Sequence, residues 1–104
     1  MRMRKEEIKR KLQESIIHMP HLEAVVRLAL FGSYVHGDAT DESDIDVLVE
    51  IDPQANVGFF ELSHMMRSLE EGVGKKIDLV PSDALSKYFR EKVMDESETL
   101  YERK

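Results

Sequence analysis

The chain has 104 residues, 41% hydrophobic and 35% charged, with a net charge of −6 and no cysteine. That length and balance suit one folded domain, residues 1–104, and argue against disorder. The acidic excess argues against direct DNA binding, which needs Lys and Arg against phosphates, and the lack of cysteine excludes disulfides, thiolate metal sites and thiol nucleophiles.

Met1 to Lys11 is basic but no apolar run follows it, so no leader is expected. No segment is long and apolar enough to span a bilayer, and a cytoplasmic location is the expectation. Arg4 to His18 predicts a helix, because Ile8, Leu12, Ile16 and Met19 recur at helical spacing and Pro20 ends the run. Ala24 to Phe31 (AVVRLALF) predicts a buried strand that stops at Gly32. Ser33 to His36 has the length of a single helical turn before Gly37.

Asp44 to Ile51 alternates cleanly, with Ile45, Val47, Val49 and Ile51 on one face and Asp44, Asp46, Leu48 and Glu50 on the other. Asp52-Pro53 ends this second strand. Val57 to Glu71 predicts a helix with Phe59, Leu62, Met66 and Leu69 on its inward stripe and Gly72 just past its end. Met65 and Met66 suit helical core or an adaptable partner surface. Lys75 to Val80 predicts a third strand, stopped by Pro81. Ser82 or Asp83 then caps a last helix running to about Glu98, with Leu85, Phe89 and Val93 inward. The order helix, strand, turn, strand, helix, strand, helix predicts a small α/β (α+β) domain, a mixed sheet flanked by helices.

The chemistry concentrates between the first two strands. Gly32 allows a sharp turn and close approach of a phosphate to the backbone, and Ser33 adds a hydroxyl and an N–H at the start of a helical turn. Alone, a Gly-Ser pair is most often a plain turn. Asp44 and Asp46, two apart, project from one strand face and can reach one Mg²⁺ or a close pair. The competing reading is a solvated strand face, although aspartate is a poor strand former and like charges repel. Asp78 can join them if its strand pairs beside theirs; by itself it reads as an edge-strand charge. His18, His21 and His64 share no metal-ligand spacing and read as surface or packing residues. Tyr34 either flanks a bound nucleotide or is an incidental loop aromatic.

Together, Gly-Ser, ten residues, Asp-x-Asp and a later strand aspartate resemble the signature of the DNA polymerase beta-type nucleotidyltransferase superfamily. The brevity of the chain and the run LFGSYVHGDATDESDIDVLVEID resemble its minimal nucleotidyltransferase (MNT) branch over a core of residues 24–81. The resemblance implies the polymerase beta-like fold, with Gly32 and Ser33 on nucleotide phosphates. It also implies that Asp44, Asp46 and Asp78 hold two Mg²⁺ ions, with Mn²⁺ able to substitute. The family reaction is attack of a hydroxyl on the α-phosphorus of ATP with loss of pyrophosphate, Asp78 taking the proton or positioning the metal beside it. One departure stands out: many relatives carry Arg where this chain has His36, which carries less charge.

For function, the resemblance implies an antitoxin that transfers AMP to a tyrosine of a HEPN-domain ribonuclease toxin, alone as a homo-oligomer or in a hetero-oligomer with that toxin. Transfer to a small-molecule acceptor is a second reading, weakened by the lack of an extra helical domain. A non-catalytic antitoxin that neutralises by contact is a third.

Overall fold

The computed structural model describes residues 4–103. Residues 1–3 and 104, which the sequence reading places in the same domain, lie outside the described residues.

Helix α1, Lys5–Ile16, is built from strong helix formers and buries Ile8, Leu12 and Ile16. Strand β1, Val25–Phe31, leads through Gly32 into the single turn α2, Ser33–His36. Strand β2, Ile45–Ile51, follows, then helix α3, Phe59–Val73, and strand β3, Ile77–Pro81. A short 3₁₀ turn, Ser82–Ala84, precedes helix α4, Lys87–Glu96, and strand β4, Glu98–Glu102, closes the order.

The sheet runs β3-β2-β1-β4. β1 is antiparallel to both β2 and β4, while β2 and β3 are parallel. A parallel pair needs a crossover, and α3 supplies it. Glu61 accepts the Gly58 N–H at 2.7 Å at the start of α3, and Glu70 accepts the Ile77 N–H at 2.9 Å near its end. The second contact ties the helix to the first residue of β3.

The two sheet faces are filled unequally. On one, Leu28, Leu30, Ile45, Val47, Val49 and Ile77 form a single core with the apolar stripes of α1 and α3. Removing each such side chain from water contributes about 1.5–3 kcal/mol. The two helices meet closely: a Cβ added to Gly72 would overlap the Ser15 side chain. On the other face a smaller cluster of Ala29, Leu48 and Val93 seats α4. Beside it Arg27 reaches Glu50 at 3.2 Å and Thr99 at 2.9 Å, so this face turns polar toward one end.

Four expectations need correction. The last helix stops at Glu96, and residues 98–102 form a fourth strand. Its single core residue is Leu100, and Glu98 is held by Lys5 and Lys9 of α1 at 2.8 and 2.9 Å. That helix is capped by Ser86, whose hydroxyl accepts the Phe89 N–H, rather than by Ser82 or Asp83. The inward stripe of α3 is Met65, Leu69 and Val73, while Phe59 is 78% exposed. Gly74, at φ +83°, ends that helix, and Gly72 lies inside it against Ser15.

Candidate active site

Asp46 lies at the centre of the less filled face. It pairs with Phe31 across the antiparallel β1–β2 ladder and with Asp78 across the parallel β2–β3 ladder. Partners in register point to the same side of a sheet, so the two carboxylates are neighbours. Asp46 is half-buried, while Asp78, on the edge strand, and Asp44, just before β2, are exposed. Burial pushes the Asp46 carboxyl above the ordinary aspartate range, and the negative charges of Asp78 and then Asp44 push it further. Asp44 and Asp78 thus both lie close enough for Asp46 to feel their charge.

Gly32 meets this group from β1. It has φ +78° and ψ −146°, a backbone region nearly reserved for glycine, and a Cβ there would overlap the Asp46 carboxylate. The glycine is required by the fold of the site itself: it makes room for Asp46. Ser33 opens α2, whose first N–H groups find no carbonyl within the helix.

A cavity of about 330 Å³ opens beside Asp46. Phe31, Gly32 and His36 form one wall, and Phe89, Lys92, Val93 and Glu96 of α4 form the other. Across its mouth, His36 Nε2 stands 3.0 Å from Glu96 Oε2. Ser33, Asp44 and Asp78 lie outside the lining. Sequence reading missed the α4 wall. Phe89 is 49% exposed at the cavity rather than inward, and Lys92 and Glu96 carry no local signal, because only the packing of Val93 on Leu48 brings them there.

Tyr34 takes neither place suggested for it. It is 5% exposed in the main core, and among the described residues its hydroxyl has no partner. His21 and His64 stack on one another, with ring centroids 5.7 Å apart, as packing residues.

Among the described residues no three carboxylate or imidazole side chains already close on one metal position. Asp44, Asp46 and Asp78 form an open set. Openness fits Mg²⁺, which keeps waters and substrate phosphate oxygens rather than filling an all-protein cage. The repulsion that raises the Asp46 pKa is what a bound cation would relieve.

A mixed sheet with a glycine turn facing an in-register aspartate pair, and a cavity beside it, defines a nucleotidyltransferase fold. The chain belongs to the family described as Polymerase beta, Nucleotidyltransferase, which it matches over residues 6–104, and it is a nucleotidyltransferase. It is 38% identical over 72 residues to a candidate protein adenylyltransferase of Methanocaldococcus jannaschii, covering 69% of this chain and 72% of that one. It is 33% identical over 73 residues to the protein adenylyltransferase MntA of Thermococcus cleftensis, covering 69% and 71%. A candidate minimal nucleotidyltransferase superposes with a TM-score of 0.75 at 27% identity, over 91% of this chain and 94% of that one. The fold also matches a chain of the complex of tri-AMPylated Shewanella oneidensis HEPN toxin with MNT antitoxin. There the TM-score is 0.62 at 19% identity, over 91% and 73% of the two chains.

Proposed function

We propose that this chain is an antitoxin that transfers AMP from ATP to a tyrosine hydroxyl of a HEPN-domain toxin, with Mg²⁺ bound by Asp44, Asp46 and Asp78. The observation that carries the reading is the register of Asp46 beside Asp78, with Gly32 shaped around the first of them. The adenylyltransferase relatives and the AMPylated HEPN toxin seen with an MNT antitoxin support the acceptor.

The order of strands gives the site a direction. The cavity lies on the β1 side of Asp46, and β3 is an open edge on the other side. Nucleotide enters the cavity against Phe31 and Phe89, its phosphates reaching Gly32 and Ser33. The acceptor arrives over the β3 edge, where exposed Asp78 meets its hydroxyl and takes or directs the proton. When bound, Mg²⁺ neutralises charge on the phosphates and lowers the barrier to in-line displacement. An edge open to solvent suits an acceptor presented by another macromolecule, and a phosphate-bearing tyrosine would repel RNA from a ribonuclease surface.

The test is incubation with a purified HEPN-domain toxin, using α-labelled and γ-labelled ATP in parallel, followed by intact-mass measurement. Label from the α position and adducts of AMP mass on a tyrosine are expected. Label from the γ position alone would refute AMP transfer.

A further inference from the structure

The cavity contains one contact that a nucleotide site does not need. His36, at the end of α2, meets Glu96, the last residue of α4, at 3.0 Å across the opening. Both side chains are partly open to solvent, at 48% and 39%, so the pair is held loosely. The contact is one of ion-pair distance between an imidazole nitrogen and a carboxylate oxygen. The imidazole on the wall nearest the Gly32–Ser33 turn therefore stands against an acid of the opposite wall.

We infer that Glu96 is an internal competitor for the nucleotide phosphates: it holds His36 across the mouth of the cavity and must release it when a polyphosphate enters. This rests on the cavity being the nucleotide site proposed above. The charges lining the cavity favour the exchange. Asp46 and Glu96 both face the cavity, against Lys92 and His36, so an entering polyphosphate meets two acids and two bases. Handing His36 from Glu96 to phosphate lets a donor already at the mouth serve the ligand. The surrendered contact is a half-exposed pair, worth little in water, whereas a polyphosphate offers several charged acceptors at once. Lys92, one turn before Glu96 on the same helix, lies near enough to take the freed carboxylate. The pair is thus a positioning device: it keeps α4 and α2 in contact across the cavity and sets how tightly phosphate must bind to part them.

The experiment is calorimetric titration of the full chain with α,β-methylene-ATP and Mg²⁺, in the wild type, Glu96→Gln, His36→Gln and the double variant. Glutamine keeps the size and polarity of each position, and circular dichroism confirms folding. Glu96→Gln is expected to bind the analogue about two- to five-fold tighter, and His36→Gln to bind it weaker by a similar factor. In the His36→Gln background the Glu96→Gln gain disappears, because the competitor has nothing left to hold. Adenosine, without phosphates, binds all four equally.

Equal or weaker binding by Glu96→Gln overturns the inference. So does a gain that persists undiminished without His36, which would make Glu96 a simple repelling charge. If the wild type binds no analogue at millimolar concentration, the nucleotide site itself is misplaced and both readings fall. If the wild type binds and only the Glu96 effect is missing, the competitor alone is refuted.

Discussion

On one face of the sheet, Leu28, Leu30, Ile45, Val47, Val49 and Ile77 are sealed beneath α1 and α3. On the other, Ala29 and Leu48 alone form the strand part of a buried cluster, beneath Val93 of α4, and the rest of that face carries Arg27, Glu50, Asp46 and the cavity. The first face holds the sheet together. The second places charges where they repel one another, and leans on the first for the stability to do so.

The sharpest way to separate the two faces is Asp46→Asn. Transfer should fall by about 10³-fold or more, the scale of lost charge stabilisation. The same variant should melt higher than the wild type at neutral pH without metal, because its charge opposes folding. The sign follows from the raised carboxyl. Between the unfolded and the folded pKa the folded chain binds more protons, so the wild type loses stability as pH rises through that window. A lower melting temperature for Asp46→Asn would end the contrast between the faces.

Leu69→Ala attacks the other face. It removes a fully buried side chain and should cost about 2–5 kcal/mol in urea unfolding, with transfer per folded molecule unchanged. Gly32→Ala joins both effects. Its backbone at φ +78° should cost about 1–3 kcal/mol, and displacement of the Asp46 carboxylate should lower transfer as well. Stability unchanged in Gly32→Ala would refute the close approach.

The smallest effect is expected at Glu98. Its hydrogen bonds from Lys5, then Lys9, hold the carboxyl below the ordinary glutamate range. That contribution is present above the unfolded pKa and is lost as pH falls through the lower folded value. Glu98→Gln should therefore narrow the stability gap between the neutral and acid-side melting curves. Curves shifted equally at all pH would show that the two lysines add nothing through charge.

The parts legible in the sequence were those with a local cause. Alternation at Ile45, Val47 and Val49 marked β2, and Gly32 before Ser33 marked the turn into α2. Strand β4 was hidden because an edge strand needs few apolar residues. Leu100 alone is buried in it, so little in ETLYE marks a strand, and the expected helix ran on past Ser97 to about Glu98. In α3, two interleaved stripes were available, Phe59-Leu62-Met66-Leu69 and Met65-Leu69-Val73. Composition favoured the first, but the close approach of α1 at Gly72 selected the second. Of the candidate site, Asp44 and Asp46 were marked by their spacing, whereas the place of Asp78 depended on β3 pairing beside β2. The α4 wall was not legible, because Lys92 and Glu96 reach the cavity through tertiary packing.

Gly32 and Asp46 lie fourteen residues apart, yet neither can be described without the other. In evolutionary terms they form one character. A lineage that discards the carboxylate removes the steric reason for the glycine, and a side chain can then settle beside the emptied position. From there the old site cannot be regained in one step, since a restored aspartate would meet the newcomer. Loss of transfer in a descendant of this chain would turn like a ratchet, and the residue at position 32 would record which way it had moved.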